Sequence, residues 1–430
     1  MQKYKLTESQ LGMYLYNKFF KVPAQINPCG SVIIDEKLDF DRLKKVINIY
    51  IEKNEATRIR FCNTLLGPRQ YIEEYKSVSI KIVEVNDEKD IKKIENRYSN
   101  YKFNITKEML FKIELVKLKD GRGGIVGCFN HMISDGWSME IALRDILKLY
   151  KNEVEDYNPG SYIKHLEEEN AYFSSSRFKK DMEFWKEETQ KLKNPQIGSI
   201  PFDKKESKQK AETLTYCLDK SVVDRIQIYC RENNISECSF YTGVFNLYVG
   251  KVSNCNEFTI QTVSSNRKNF EEKNTFGPFY DGSYFYAKLE DIGLDEYLKQ
   301  TNDDLFKNHK HYKYPVSNVT KLLKKKGIKG LIAAKIYFSY QVMRNNKDTY
   351  KKNCKIHWAP MKGTFMYDLL VNLHDIENTG NVYIVINYLA NRYKKETIDN
   401  ISNGMNKIIE QILKDDKINI GSMEIWKIGL

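Results

Sequence analysis

The stretch around His131 carries the residue types and spacing in this sequence that are best suited to chemistry. It reads Asn-His-Met-Ile-Ser-Asp-Gly-Trp-Ser from Asn130 to Ser138. An imidazole can act as a general base near neutral pH. Asp135 is better placed to brace a tight loop than to touch a substrate, since Gly136 after it can adopt a positive φ and turn the chain. A buried histidine beside a helix-capping aspartate or serine remains the structural alternative.

Two strands and a helix are predicted to position this stretch. Apolar and polar residues alternate from Phe111, which indicates a half-buried strand. A glycine-rich turn at 119–124 and a more apolar strand at 125–130 complete a hairpin. Apolar residues then recur every three or four positions from Trp137 to Tyr150, which predicts an amphipathic helix. His131 therefore lies at the C-terminal end of a strand, where function often resides in α/β proteins.

Other chemistries have little support in the sequence. The glycines at 121–124 are not followed by the Lys-Ser or Lys-Thr of a phosphate loop. Ser138 has no G-x-S-x-G context and is expected to stabilise the first turn of the helix. The other histidines lack metal-ligand spacing, so no metal is expected. The net charge of +12 comes from basic residues spread along the chain, and nucleic-acid binding is not expected.

Length and composition predict a two-domain protein. The 430 residues exceed the roughly 250–300 at which one hydrophobic core stops growing. We place the domains at 1–175 and 176–430, with linker candidates at 158–160 and 194–210. A helical stretch at 162–192, helices at 221–232 and 238–249 and a strand at 258–263 are predicted. The eight cysteines form no C-x-x-C pair, and no signal peptide or long apolar run occurs, so we expect a cytoplasmic protein with reduced thiols. A monomer is expected as well, without a specific signal in the sequence.

The motif resembles the H-H-x-x-x-D-G-W-S signature of condensation domains in nonribosomal peptide synthetases. Further matches occur in the family's order. The segment 6–14 resembles S-x-A-Q-x-R-L-W, 54–61 resembles R-H-E-x-L-R-T-x-F, and 276–279 resembles the start of I-G-x-F-V-N-T. Related plant-type acyltransferases carry a late D-F-G-W-G block, which is absent here. The resemblance therefore favours a condensation domain over the other acyltransferases that share H-x-x-x-D-G.

The resemblance implies an α/β fold of two chloramphenicol-acetyltransferase-like halves, arranged as a V-shaped pseudo-dimer around a central tunnel. It also implies a reaction. An acyl or aminoacyl group on the phosphopantetheine arm of a carrier protein would pass to an amine, forming an amide. The acceptor would be a small amine or a second carrier-bound aminoacyl group, and the carrier, acyl or peptidyl, is expected to be supplied in trans. No permanently bound cofactor is expected.

The resemblance also assigns roles to individual residues. His131 would contact the amine, and the backbone N–H of Gly136 would stabilise the developing oxyanion. Asp135 would be structural, held by Arg267 or, as second choice, by Arg58. Three further residues would support the site: Asn130, Trp137 and Ser138.

Three departures from the family pattern leave other functions open. Asn130 replaces the first histidine and cannot titrate, Asp281 replaces an asparagine, and Tyr286 replaces an arginine. An ester-forming or coenzyme A-dependent acyltransferase of the same fold is one alternative. A non-catalytic module that recruits a carrier is another.

Overall fold

The computed structural model describes residues 2–20, 27–192, 196–203, 210–327, 336–342, 353–359, 367–375 and 380–423. Contacts between Cα atoms divide the chain into two units. Unit 1 comprises Met1–Ser175, Ser265–Tyr280 and Asn345–Lys362, and unit 2 comprises Ser176–Ser264, Asp281–Arg344 and Gly363–Leu430. The units therefore alternate along the chain. The division into domains 1–175 and 176–430 stays a prediction.

Unit 1 is an α/β structure with two sheets. Elements are numbered in chain order through the whole protein. Its strands are β1 (Tyr4–Lys5), β2 (Cys29–Ile34), β3 (Ile59–Thr64), β4 (Gly67–Ile72), β5 (Lys81–Glu84), β6 (Phe111–Lys117), β7 (Gly123–Phe129) and β12 (Cys354–Trp358). Its helices are α1 (Glu8–Phe20), α2 (Phe40–Lys53), a 3₁₀ turn at Glu55–Arg58, α3 (Glu88–Ser99), α4 (Gly136–Tyr150), α5 (Tyr162–Tyr172) and α9 (Phe270–Lys273). The larger sheet has the order β12-β2-β7-β6-β5, with β7 in the middle, and the smaller has the order β1-β4-β3.

The predicted hairpin and helix are confirmed. Strands β6 and β7 pair antiparallel, and α4 begins one residue before the predicted start. The assignment of Gly123 and Gly124 to the turn is wrong, because both belong to β7, and the turn at 119–121 contains Gly121 with φ of 87°. A Cβ atom built on Gly124 would lie 1.8 Å from the carbonyl oxygen of Val32. Glycine is needed there because the neighbouring strand's backbone comes so close.

Strand β12 comes from late in the chain and forms one edge of the larger sheet. It pairs antiparallel with β2, so that His357 lies opposite Ser31. Glu95 of α3 is buried and binds both side chains, accepting from Ser31 Oγ at 2.6 Å and lying 2.9 Å from His357 Nδ1. Lys355 forms an ion pair with Glu88 of the same helix. Helix α3 therefore fastens β12 to unit 1.

Unit 2 is also α/β. Its helices are α6 (Ser176–Lys191), α7 (Lys220–Glu232), α8 (Glu237–Ser253), α10 (Leu294–Lys310), α11 (Val316–Lys325) and α12 (Lys395–Lys414). Its strands are β8 (Ala211–Leu218), β9 (Glu257–Ser264), β10 (Asp281–Lys288), β11 (Ile336–Gln341), β13 (Leu369–His374) and β14 (Val382–Leu389), in the sheet order β10-β9-β11-β13-β14-β8. Helix α8 is buried along most of its length and packs into the core of this unit.

The sequence predictions for this part of the chain have mixed outcomes. The helices predicted at 221–232 and 238–249 and the strand at 258–263 are confirmed as α7, α8 and β9. The helical stretch predicted at 162–192 is two helices, α5 and α6, separated at 173–175. The linker candidate 194–210 lies partly outside the described residues. No helix in the described ranges combines the length and apolar character needed to cross a membrane. All eight cysteines lie in those ranges, and none of them is in a disulfide there.

The two glycines of β7 predict different responses to the same substitution. Gly124→Ala should lower the free energy of unfolding by about 2–3 kcal/mol, because the added methyl group collides with backbone that has to move. Gly127→Ala is the matched control, since its Cβ would meet only a ring carbon of Phe129 at 3.6 Å, and it should stay within about 1 kcal/mol of wild type. Urea unfolding measures both. Equal stabilities of the two variants would contradict this account of β7.

Candidate active site

The loop that carries His131 joins the central strand of the larger sheet to α4. Asn130 fastens the start of this loop: its side chain accepts from the Met132 N–H at 3.0 Å and donates to Asn27 Oδ1 at 2.9 Å. Its backbone carbonyl accepts from Ser134 Oγ at 3.2 Å. Asn130 therefore has a definite structural role at the position of the family's first histidine.

His131 is half-buried and oriented by its own loop. Its Nδ1 lies 2.7 Å from the backbone carbonyl oxygen of Ser134. Because a carbonyl can only accept, Nδ1 carries the hydrogen, and a neutral ring then has its lone pair on Nε2. Within the described ranges, Nε2 has no protein partner. Burial lowers the pKa of His131 below its ordinary value of 6.5, and the nearby charge of Asp135 and the bond to Ser134 oppose this only in part.

Asp135 is buried and forms an ion pair with Arg267. Arg267 Nη2 lies 3.0 Å and 3.1 Å from the two carboxylate oxygens. The carboxylate also accepts from the N–H of Ser138 at 2.7 Å and the N–H of Phe279 at 3.0 Å. Asp135 is thus the N-cap of α4 as well as the partner of Arg267. The hydrogen-bond partner of His131 Nδ1 is the carbonyl oxygen of Ser134 and not the carboxylate of Asp135. The contacts of Asp135 therefore hold the loop together.

The charge state of Asp135 follows from these contacts. Burial by itself would raise the pKa of its carboxyl group. The positive charge of Arg267 and the hydrogen bonds from Ser138 and Arg267 outweigh burial and hold the pKa below its usual value of 3.8. Asp135 is therefore an anion at neutral pH, and Arg267 compensates its charge.

Arg267 anchors the segment 265–280 as well as the carboxylate. Its Nη1 donates to the carbonyls of Glu272 and Thr275, each at 2.7 Å, and its Nη2 also donates to the carbonyl of Gly277 at 2.9 Å. The guanidinium lies over the ring of Phe279, 4.1 Å from the ring centroid. The arginine therefore joins the loop of the first motif to the Phe-Gly-Pro-Phe motif at 276–279.

Ser138 and Trp137 strengthen the same junction. Ser138 Oγ lies 2.7 Å from both Asp135 Oδ1 and the carbonyl oxygen of Gly277, and it accepts from the N–H of Gly277. Trp137 Nε1 donates to the carbonyl of Lys273 at 3.0 Å. A Cβ atom on Gly277 would lie 2.3 Å from the ring of Tyr162, so this motif needs glycine for close packing.

Two sequence expectations need correction. Arg58 does not bind Asp135; it donates to the backbone carbonyls of Ile51, Glu52 and Glu73, and so joins the end of α2 to the end of β4. Gly136 does not adopt a positive φ, because it is the first residue of α4 and has helical backbone. Its N–H has no acceptor among the described residues, as is usual in the first turn of a helix. The oxyanion role of Gly136 stays a prediction.

A glutamine pair holds the other side of the loop, and sequence reasoning did not identify it as part of the site. Gln10 Nε2 donates to the carbonyl of Met132 at 2.9 Å. Gln10 and Gln70 also exchange amide hydrogen bonds of 2.9 Å and 2.7 Å. Gln10 belongs to the resemblance at 6–14, which was the available signal, whereas Gln70 lies in no motif. A third residue that sequence reasoning missed, Tyr280, packs its ring against His131 at 4.3 Å between ring centroids.

The buried ion pair predicts a strong effect of Asp135→Asn. This change leaves the positive charge of Arg267 buried without its partner, which typically costs about 3–5 kcal/mol of stability. The pKa of Asp135 is lower in the folded protein than in the unfolded chain, where it is about 3.9. The ion pair therefore contributes to the free energy of unfolding above that pH, and the contribution is lost as pH falls through the folded-state pKa. Urea unfolding is measured at pH 7 and at successively lower pH. The free energies of unfolding of wild type and variant should approach each other below about pH 4.

The exposed pair of Asp120 and Arg122 supplies the matched control. Asp120→Asn should leave stability close to wild type, because exposed ion pairs contribute little. If Asp135→Asn and Asp120→Asn have the same free energy of unfolding at pH 7, the buried ion pair does not make the large contribution to stability described here.

Comparisons with known proteins identify the family. The condensation domain family model matches residues 1–427. Surfactin synthase subunit 1 of Bacillus subtilis (strain 168) is 24% identical over 98% of this chain, and the chain spans 12% of that subunit's length.

Solved structures agree on the fold. The condensation domain of the monacolin K polyketide synthase MokA superposes with a TM-score of 0.83 at 15% identity, over 98% of this chain and 99% of that one. The X-domain of teicoplanin biosynthesis, in its complex with OxyB, superposes with a TM-score of 0.79 at 16% identity, over 99% and 96%. The predicted α/β fold with two acetyltransferase-like halves is confirmed. The chain belongs to the condensation domain family of nonribosomal peptide synthetases, whose known function is amide bond formation between carrier-bound substrates.

Proposed function

We propose that this chain is an active condensation enzyme. It transfers an acyl or aminoacyl group from the phosphopantetheine thioester of a carrier protein to an amine and forms an amide. One observation carries the proposal: the imidazole of His131 is held through Nδ1 by Ser134, is shifted toward its neutral form, and has Nε2 free of protein partners in the described part of the chain. A neutral imidazole with an available lone pair is what an amine acceptor requires.

The reaction needs little activation of the thioester and much positioning. The amine nitrogen attacks the thioester carbonyl, the carbon–sulfur bond breaks, and the phosphopantetheine thiolate leaves. His131 Nε2 accepts a hydrogen bond from the attacking amine and takes its proton. Holding the two reactants in register can supply about 7–11 kcal/mol, whereas general base catalysis contributes about 10²–10⁴-fold.

Gly136 is the proposed donor to the oxyanion. Its N–H is the first of α4, and a helix N-terminus favours negative charge. Asp135 caps the same helix and forms its ion pair with Arg267, so the carboxylate is engaged in holding the loop. The division of roles is therefore His131 toward the amine and Gly136 toward the carbonyl oxygen, with Asp135 and Arg267 as structural support.

The partners are proposed with the reaction. The donor is an acyl or peptidyl carrier protein, and the acceptor is a small amine or a second carrier-bound aminoacyl group. An ester-forming or coenzyme A-dependent acyltransferase would use His131 in a similar way. The product of the experiment below separates these reactions.

A non-catalytic recruitment module is the second candidate. Asn130 favours it, because an asparagine replaces the first histidine of the motif. The X-domain, which has the same fold, was solved in a complex with OxyB. In such a module, substitution of His131 would not affect the binding of a partner, and no amide would form.

Amide formation should depend on His131. The donor is a carrier protein loaded with a labelled acyl thioester, and acyl-coenzyme A is tested as an alternative donor. The acceptors are a panel of amines and an alcohol, and the products are identified by mass spectrometry. His131→Ala should reduce amide formation by about 10²–10⁴-fold. His309→Ala removes an exposed histidine of unit 2 and should leave the rate unchanged. Undiminished product in His131→Ala, or no amide with any amine, would count against the proposal.

The pH dependence should also report His131. Because the pKa of His131 lies below 6.5, the base is present at pH 7 and is lost as pH falls through that lowered pKa. The acid limb of the rate profile should therefore have its midpoint below 6.5. The residual activity of His131→Ala should lack this limb. If the acid limb of the pH–rate profile persists in His131→Ala, the limb reports the titration of another group.

A further inference from the structure

Tyr280 is the residue whose ring lies against the candidate base. The ring centroids of Tyr280 and His131 are 4.3 Å apart, with the planes inclined at 45°. The residue before it, Phe279, donates its N–H to Asp135 Oδ2 at 3.0 Å. The phenol hydroxyl of Tyr280 donates to Met13 Sδ of α1 at 3.0 Å. Tyr280 is therefore held on both sides, by the backbone next to Asp135 and by a helix at its hydroxyl end.

The two contacts of His131 complement each other. The hydrogen bond to Ser134 fixes one edge of the imidazole, and the ring of Tyr280 packs against the imidazole with the two planes inclined at 45°. A histidine side chain anchored at Nδ1 alone can still tilt about that bond, since its outer torsion is broad. An aromatic ring packed this closely against the imidazole restricts this tilt and takes up space that water would otherwise fill. Removing the ring would therefore change both the orientation and the hydration of the base.

At the position of Tyr280, this chain differs from the family pattern that its sequence resembles. In the I-G-x-F-V-N-T pattern that 276–282 resembles, the position of Tyr280 is a valine. A valine side chain is much smaller than a phenol ring and cannot stack on an imidazole. The chain has thus placed a larger, flat side chain beside its histidine.

We propose that Tyr280 is a positioning residue for His131, holding the imidazole so that Nε2 is the nitrogen presented to the amine. The inference rests on the proposed function for its meaning in catalysis, but the contact and its effect on the imidazole can be tested without turnover. The charged and titratable groups that bear on His131 are Asp135, which is paired with Arg267, and Tyr280 itself. Tyr280→Val leaves Asp135 and Arg267 unchanged.

The experiment compares three variants with wild type by NMR of histidine-selective ¹⁵N-labelled full-length protein. Tyr280→Val removes the ring, and Tyr280→Phe keeps the ring but loses the bond to Met13. Tyr75→Phe is the control, since it removes a hydroxyl from a tyrosine that donates to Asn48, away from His131. The His131 signals are assigned with His131→Ala. Tyr280→Leu is prepared as well, in case the valine variant does not fold.

Wild type, Tyr280→Phe and Tyr75→Phe should show the Nδ1–H tautomer of His131 and a titration midpoint below 6.5. Tyr280→Val, or Tyr280→Leu, should move the midpoint toward 6.5 and mix the tautomers. Its kcat for amide formation should fall about tenfold, with KM changed less than about threefold, because the loss is one of orientation.

Some results would overturn the inference. An unchanged His131 midpoint and tautomer in the folded ring-deletion variants would do so, whatever their activity. Tyr280→Phe behaving like Tyr280→Val would assign the effect to the hydroxyl and overturn the role of the ring. If no protein forms amide, the proposed function fails, and the NMR comparison still decides whether Tyr280 positions the imidazole.

Discussion

The buried ion pair between Arg267 and Asp135 is the interaction on which the rest of the site depends. The exposed fractions of the two side chains are 0% and 5%, so water screens neither charge. An unpaired charge in such a place would cost several kcal/mol. Here the arginine also donates to three backbone carbonyls, and the aspartate also accepts from two backbone N–H groups. These contacts together fix the position of the segment 265–280 against the loop 130–138.

This pair also sets the electrostatic environment of the histidine. Among the residues that the structure describes, Asp135 is the charged group that acts on the pKa of His131, and its charge raises that pKa. Because Arg267 binds both carboxylate oxygens, the field of that anion is largely compensated, and burial remains the larger influence on the imidazole. A neutral imidazole can lie close to a buried carboxylate because the carboxylate has its own cation. Structural support and chemistry are linked through charge, although the two side chains have different partners.

Local patterns in the sequence were sufficient for the elements around the motif. The alternation from Phe111 and the three-and-four spacing of α4 reflect which face of each element is buried, so strand, loop and helix could be predicted. The sequence favours Arg267 as the partner of Asp135 because this arginine follows the strand predicted at 258–263, yet Arg58 fits the same chemistry. Only the structure shows that Arg58 is occupied by the backbone carbonyls of Ile51, Glu52 and Glu73. Glycines at 123–124 are typical of a turn, but here each lies against backbone: Gly123 against the carbonyl oxygen of Val116 in β6, and Gly124 against that of Val32 in β2, which is distant in sequence. Gln70 has no local signal, since its partner Gln10 is distant in the chain. Tyr280 differs from the valine of the family pattern, but only the structure shows that its ring packs against His131.

The edge position of β12 has a consequence for synthesis of the protein. Unit 1 obtains both its last strand and its arginine from beyond residue 264. Until residues 354–358 have left the ribosome, β2 is an unpaired edge with exposed N–H and C=O groups, and such edges promote aggregation. A gene fragment ended at residue 175 would have the same open edge permanently, together with an aspartate that lacks its counter-ion. The N-terminal part of this chain is therefore expected to complete its folding late in translation, after most of the second unit has been made.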